Sequence, residues 1–337
     1  MKSGALLLVS TLIALLMAEG LVRVLDIKPR PLEPLPIPSY QLSENPVLLY
    51  EYRPGYRPEN EPWDIKHRGF SINRDGFRDY EYTTQKPENT YRIAVLGDST
   101  TAGYGIENVD DTYPKLLEKR LNRNGDGQLY QVLNMGVGGY HAVQELETLR
   151  AKGLKYQPDM VVVCFCINDF HINSDGGVYS NLVDANPHLV PVRNVLRLAL
   201  KYSRLLFVLY HRLGFSRSTE RGITPNRWYE KNVLKGENAV RVGLSMLSEL
   251  RAQHGFETVI FILPAFTDPF DAYTYEAIHK QFFASAAGLE GIELIDLWPS
   301  FQKVNNNAPV FADDSVHMNP YGHSVMVEIL YPIIRKH

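Results

Sequence analysis

From Tyr91 onward the chain alternates short apolar runs with segments of helical periodicity, and this alternation constrains the fold more than any other feature. The predicted strands are Arg92–Leu96, Gln131–Asn134, Met160–Cys166, Thr258–Leu263 and Ile292–Ile295. The predicted helices are Asp111–Arg123, Ala142–Lys152, a segment from about Glu237 to Gln253, and Asn319–Ile334. Strands that are apolar throughout and separated by helices indicate a parallel sheet covered on both faces.

Composition excludes several classes of protein. The chain has 337 residues, 45% of them apolar, with a net charge of -3. This length supports a large core, and a near-neutral charge argues against a nucleic-acid partner. Two cysteines cannot form a disulfide scaffold, and no second spaced pair exists for zinc. Cys164 and Cys166 are therefore interpreted as small core residues.

The first 27 residues differ from the rest. An apolar run covers Ala5–Ala18, Lys2 precedes it, and Glu19 and Arg23 follow it. The run is within the range of signal peptides and shorter than the roughly 20 residues that span a bilayer. A signal peptidase that cut after Ala18 would meet Leu16 where a small residue is preferred. We therefore predict an uncleaved signal-anchor over residues 1–27. A cleaved signal peptide and a buried N-terminal helix are the alternatives.

The remaining chain divides into three further segments. Residues 28–39 hold five prolines and form a stiff linker, residues 40–90 are an irregular or β-containing lead-in, and residues 91–337 are the main domain. An insertion at 171–235 interrupts the main domain and contains an apolar, basic helix, Val192–Leu213. Such a helix either buries its apolar face on the domain or acts as a lid or membrane-surface contact.

Four polar motifs fall just after predicted strands or before the last helix. They are Gly97-Asp98-Ser99, the glycine-rich segment that ends at Gly139, Asn168-Asp169, and Asp314-x-x-His317. In a parallel α/β sheet, functional residues lie beyond the carboxyl ends of the strands. The sequence therefore places all four motifs at one edge.

These residue types suit nucleophilic catalysis. Ser99 alone is most simply a helix cap, because a serine hydroxyl needs a base to become a nucleophile. His317 can be that base, because Asp314 lies three residues before it and can orient its imidazole. His171 and His323 have no carboxylate three residues before them. The Ser99 N–H, the Gly139 N–H and the Asn168 amide are candidate donors to an oxyanion.

The order of these motifs resembles the SGNH, or GDSL-type, hydrolase superfamily over about residues 91 to 335. Thr100 stands where leucine is common in that family, and Cys166 stands where glycine is usual. The resemblance implies a flavodoxin-like three-layer α/β/α sandwich with about five parallel strands and Gly139 as an oxyanion donor. It also implies that the enzyme needs no metal and no organic cofactor.

We therefore expect a serine esterase that acts on a small-molecule or glycan ester. It would lie at the cell membrane with its catalytic domain outside the cytoplasm, or be secreted or periplasmic. Polar side chains near the strand ends favour short acyl groups on carbohydrate: Thr100, Thr101, Tyr104, Tyr140, His141, Asp169, His171 and Asn173. A lipase or phospholipase, an O-acyltransferase acting on a cell-surface polysaccharide and a non-catalytic scaffold are the alternatives, and the oligomeric state is open.

Overall fold

The computed structural model describes most of the chain. The described residues are 2–25, 27, 39–57, 70–123, 127–170, 203–212, 225–264, 273, 275–304 and 317–337. The chain separates into two compact units, which we call the N-terminal unit (Met1–Pro36 with Ser180–Thr224) and the sheet unit (Ile37–Tyr179 with Pro225–His337).

The sheet unit is built on five parallel strands. They are β3 (Thr90–Gly97), β4 (Leu129–Asn134), β5 (Met160–Phe165), β6 (Glu257–Ile262) and β7 (Ile292–Asp296). Their order across the sheet is β4-β3-β5-β6-β7, and every neighbouring pair is parallel. The direction of strand order reverses beside β3, where doubly wound folds bind their ligands. The predicted α/β sandwich is confirmed.

Helices of the sheet unit cover both faces of this sheet, whereas α1 and α5 belong to the N-terminal unit. In chain order the helices are α1 (Lys2–Val24), α2 (Ser99–Ala102), α3 (Tyr113–Asn122), α4 (Ala142–Thr148), α5 (Arg204–Arg212), α6 (Pro225–His254), α7 (Glu276–Ala286), α8 (Trp298–Val304) and α9 (Pro320–Ile334). One core packs α3, α8 and α9 on alternate strand residues such as Val95 and Val162. The other core packs α4, α6 and α7 on the opposite set, which includes Leu96 and Val163. The buried thiols of Cys164 and Cys166 belong to the first core, as predicted.

The α6 helix is longer than its sequence indicates. We expected it to begin at about Glu237, but it begins at Pro225. Proline suits the first turn of a helix, because its missing N–H has no intrahelical partner there. The first turns are polar and contain Gly236, so they lack the apolar periodicity that marks an amphipathic helix.

The lead-in segment adds a two-stranded antiparallel hairpin to the sheet unit. Its strands are β1 (Tyr40–Leu42) and β2 (Tyr50–Tyr52), with Tyr40 paired to Tyr52 and Leu42 paired to Tyr50. All three of its tyrosines are buried.

The N-terminal unit contains α1 and α5. Glu19 of α1 accepts hydrogen bonds from the backbone N–H groups of Arg204 and Leu205, at 2.9 and 2.8 Å, and from the Ser203 hydroxyl. These bonds cap the first turn of α5, and the one from Leu205 contributes most to lowering the pKa of Glu19 to about 2. Of the predicted helix Val192–Leu213, only residues 203–212 are described, and Arg204–Arg212 of these are helical.

Within the described ranges, no helix is both long enough and apolar enough to cross a membrane. The signal-anchor predicted over residues 1–27 is therefore not confirmed.

A buried histidine joins α9 to α3. His323 has no solvent exposure, and its Nδ1 accepts a 2.9 Å hydrogen bond from the N–H of Tyr113. Burial lowers the pKa of His323 to about 3. The folded protein therefore holds this imidazole neutral, whereas an unfolded chain takes up a proton below about pH 6.5.

This difference predicts a pH-dependent contribution to stability. Because the folded pKa is depressed, the contribution of His323 is complete above about pH 6.5 and is lost as the pH falls toward 3. Between pH 7 and pH 5, the stability advantage of the wild type over His323→Asn should shrink by about 2 kcal/mol. Urea unfolding at both pH values measures this change, with His254→Asn, an exposed position, as the control. An advantage that is equal at both pH values would contradict the prediction.

Candidate active site

Ser99 and His317 meet at the carboxyl edge of the sheet. Ser99 begins α2 directly after β3, where the side chain of Asp98 caps the helix by accepting a 2.9 Å hydrogen bond from the Thr100 N–H. The Oγ atom of Ser99 lies 2.8 Å from Nε2 of His317, and the Ser99 residue is half-buried. The ring of Tyr104 lies beside His317, with the ring centres 4.6 Å apart. A hydroxyl that contacts both an imidazole and solvent has the arrangement of a nucleophile and its base.

The loop after β4 packs directly against α2. Asn134 donates from Nδ2 to the carbonyl of Thr101 at 2.9 Å and accepts from the N–H of Gly136 at 3.0 Å. A β-carbon at Gly136 would lie only 2.5 Å from the backbone nitrogen of Ala102, so only glycine fits there. At Gly138, a β-carbon would lie 3.6 Å from the β-carbon of Ser99. The predicted donor Gly139 follows with φ 79°, a conformation that favours glycine.

The third predicted motif follows β5. Asn168 lies in the 3₁₀ turn Ile167–Phe170, although its side chain is outside the described part of the chain. Cys166 packs its Sγ 3.2 Å from Oδ1 of Asp98 and 3.7 Å from the hydroxyl of Thr100. The thiol that replaces the family's usual glycine therefore contacts the helix cap beside the nucleophile.

Buried acids lie behind the nucleophile. Glu145 on α4 and Asp169 in the 3₁₀ turn are buried, and burial raises the pKa of both carboxyls well above the ordinary range. The negative charge of the buried Asp98 also raises the pKa of both carboxyls, and that of Glu145 further raises the pKa of Asp169. Within the described residues, no three His, Cys, Asp or Glu side chains form a group that could hold a metal ion.

The other predicted site residues have mixed outcomes. Asp314 and His171 lie outside the described residues, whereas His323 is buried against Tyr113 and does not contact Ser99 through either ring nitrogen.

The expected polar lining is largely wrong. Five of its members are buried, because they hold the loops together instead of facing substrate: Thr100, Thr101, Tyr140, His141 and Asp169. Tyr104 remains 38% exposed, and Asn173 lies outside the description.

Arg78 supports the site, and sequence reasoning missed it. Its guanidinium is fully buried and donates to the carbonyl oxygens of Ala102 at 3.0 Å, Glu107 at 3.2 Å, and also Gly103 and Ile106. Those oxygens belong to the last residue of α2 and to the segment that follows it, so one cation satisfies the backbone that ends the nucleophile helix. Burial lowers the pKa of Arg78 to about 10, which leaves it charged at neutral pH. No periodic pattern marks a buried arginine whose partners are carbonyls.

Replacing this guanidinium should be costly even when the charge is kept. Arg78→Lys removes the planar fork that reaches several carbonyls at once, so we expect a loss of about 2–4 kcal/mol in the free energy of unfolding. Arg74→Lys is the matched control, since the Arg74 side chain is 77% exposed in a surface ion pair, and it should change stability by less than about 0.5 kcal/mol. Equal effects in urea unfolding would show that the Arg78 contacts contribute little.

Comparisons with solved structures give several relatives of low identity. An acetyl xylan esterase aligns with a TM-score of 0.45 and 15% identity, covering 72% of this chain and 99% of its own. The lipase/acylhydrolase from Enterococcus faecalis aligns with a TM-score of 0.46 and 18% identity, covering 73% and 96%.

A two-domain esterase active on acetylated mannans aligns with a TM-score of 0.44 and 12% identity. The alignment covers 73% of this chain but only 50% of that protein. No curated protein matches this sequence. The family assignment therefore depends on a family model and not on any single relative.

That family model matches residues 95–325, a span that begins within β3, includes Ser99 and His317, and ends within α9. The match covers well over half of the chain and includes the serine and histidine that the fold brings into contact. The chain belongs to the GDSL-like lipase/acylhydrolase family and is an ester hydrolase.

Proposed function

We propose that Ser99 and His317 hydrolyse a carboxylic ester through an acyl-enzyme. The observation that carries this proposal is the 2.8 Å contact between Oγ of Ser99 and Nε2 of His317. The hydroxyl oxygen attacks the ester carbonyl while its proton passes to Nε2, and the carbonyl π electrons move to the oxygen. Asp314 orients the imidazole by accepting from Nδ1, and the oxyanion accepts from the N–H groups of Ser99 and Gly139 and from Asn168.

Collapse of this intermediate breaks the bond between the carbonyl carbon and the alcohol oxygen. His317 gives the proton from Nε2 to the leaving alcohol, and Ser99 keeps the acyl group. Water then enters, gives its proton to Nε2 and attacks the acyl carbon. The second intermediate releases the carboxylic acid as the proton returns to Ser99. The same histidine is thus base and acid in turn.

Single substitutions test these roles. Ser99→Ala and His317→Ala should each lower kcat by roughly 10³-fold or more, since the nucleophile and its base act as a unit. Asn168→Ala should lower kcat by about 10²- to 10³-fold, as expected for one oxyanion donor. Asp313→Asn is the matched control beside Asp314 and should change kcat little. Esterase assays, with circular dichroism to check folding, measure these effects, and an active Ser99→Ala protein would exclude the mechanism.

We further propose that the acyl group is short and that the alcohol is a carbohydrate. Three described residues beside Ser99 are polar or glycine: Asp98, Gly138 and His317. A long acyl chain needs an apolar channel, which these groups do not supply. The exposed ring of Tyr104 beside His317 provides a surface on which a sugar ring can stack.

Two comparisons test the substrate class on the full-length protein. The kcat/KM for nitrophenyl acetate should exceed that for nitrophenyl decanoate by about tenfold or more, because extra methylenes gain nothing without an apolar wall. Tyr104→Ala should raise KM for an acetylated oligosaccharide several-fold but leave KM for nitrophenyl acetate unchanged. Tyr104→Phe keeps the ring and serves as its control. A preference for decanoate would favour the lipase alternative instead.

The cell-membrane location and the transfer of acyl groups to a polysaccharide stay predictions from the sequence. A covalent serine probe that labels the wild type but not Ser99→Ala separates any such enzyme from a scaffold without catalytic activity.

A further inference from the structure

Three tyrosine hydroxyls of the β1–β2 hairpin converge on one glycine of the loop after β4. The Tyr50 hydroxyl donates to the carbonyl oxygen of Gly138 at 3.1 Å, and the Tyr40 hydroxyl lies 3.5 Å from the same oxygen. The N–H of Gly138 donates to the Tyr52 hydroxyl at 3.2 Å. Both polar groups of Gly138 are therefore bound by residues more than 80 positions earlier in the chain.

The hairpin is rigidly placed for this role. Tyr50 and Tyr52 are 0% and 1% exposed, and Tyr40 packs on Tyr52 with ring centres 4.6 Å apart. The Tyr140 hydroxyl donates a hydrogen bond to the carbonyl of Tyr50, which links the hairpin to the same loop. Burial raises the pKa of Tyr40 and Tyr52, so both phenols keep their protons at neutral pH.

The bound glycine is adjacent to the nucleophile. A β-carbon at Gly138 would lie 3.6 Å from the Ser99 β-carbon and 2.5 Å from the Tyr40 hydroxyl oxygen. Gly138 is therefore close both to the hairpin and to Ser99. The next peptide N–H along the loop is that of Gly139, the proposed oxyanion donor.

The chemistry of the peptide bond connects these observations. The carbonyl of Gly138 and the N–H of Gly139 belong to one planar amide group. A donor on the carbonyl oxygen fixes the plane of that group, and it also withdraws electron density, so that the N–H becomes a better donor. A hydroxyl buried at one end of the amide can thus act on an oxyanion bound at the other end.

We propose that Tyr50 is a positioning residue of the hydrolysis, whose hydroxyl orients and polarises the Gly138–Gly139 peptide so that the Gly139 N–H binds the oxyanion. Tyr40 supports it from β1, the first strand of the hairpin. The inference rests on the proposed function, because Gly139 is a donor only if Ser99 forms the tetrahedral intermediate. It assigns a catalytic task to the lead-in segment, which contains none of the residues that contact substrate.

Tyr50→Phe is the direct test, because it keeps the buried ring and removes only the hydroxyl. With nitrophenyl acetate, kcat should fall about tenfold, less than the 10²- to 10³-fold expected for loss of a whole donor. KM should stay within about twofold, since the donor acts in the transition state. The ¹⁵N resonance of the Gly139 amide, observed in glycine-labelled protein, should also move, because the hydrogen bond to its amide group is lost.

Tyr130→Phe is the matched control. The Tyr130 hydroxyl is also on a largely buried tyrosine, but its partners are Gln128 at 3.2 Å and Arg335 at 2.9 Å, away from Gly138. This variant should keep the wild-type kcat and Gly139 resonance. Tyr52→Phe adds a comparison, because its hydroxyl binds the preceding peptide of the loop, and it should lower kcat less than Tyr50→Phe does.

The outcomes separate this inference from the proposed function. If Ser99→Ala stays active, the proposed function fails. If Ser99→Ala is inactive but Tyr50→Phe keeps kcat within twofold, or the Gly139 resonance does not move, only the role of Tyr50 is overturned. If Tyr50→Phe does not fold, Tyr40→Phe removes the second hydroxyl near the same oxygen. A twofold to fivefold loss of kcat with a moved Gly139 resonance would then support the inference, and unchanged values would overturn it.

Discussion

The site depends on how closely the turn between β3 and α2 packs against its two neighbouring loops. A β-carbon at Gly97 would lie 2.1 Å from Oγ1 of Thr101, and one at Gly136 would lie 2.5 Å from the nitrogen of Ala102. At Gly97 and Gly136 the backbone lies too close to α2 for any side chain to fit. This close contact positions Ser99 at the edge of the sheet. Close-packed protein interiors have low compressibility, so this packing defines the position of the backbone at Ser99.

Such close packing removes water from backbone groups, which then need partners inside the protein. The lead-in segment supplies them. Arg78 satisfies the carbonyls that end α2, and the hydroxyls of Tyr50 and Tyr52 satisfy the polar groups of Gly138. Asp79 accepts from the N–H of Asn134 at 2.6 Å and pairs with the buried Lys115 at 2.6 Å. An unpaired buried polar group costs about 1–3 kcal/mol, so these contacts stabilise loops that would otherwise not pack this closely.

The two halves of the site therefore have different origins in the chain. The groups proposed to react with substrate follow the strands of the sheet, where the ends of parallel strands meet. Several of the groups that hold those loops come from the lead-in segment, which precedes β3: Tyr50, Arg78 and Asp79. We infer that a shortened protein that lacks the lead-in would keep the reactive residues but lose the contacts that orient them.

The sequence by itself determined the parallel sheet, its strands and the edge where Ser99, Gly139, Asn168 and His317 belong. Apolar runs and strand-end motifs are local signals, and every parallel α/β sheet places them in the same way. Tertiary structure alone decided that Thr100, Thr101 and Tyr140 are buried, that Arg78 binds carbonyls, and that Tyr50 contacts Gly138. These contacts join residues 24 to 88 positions apart, and their acceptors are backbone carbonyl oxygens. Because every residue has a backbone carbonyl, no side-chain pattern in the sequence predicts which one will be bound.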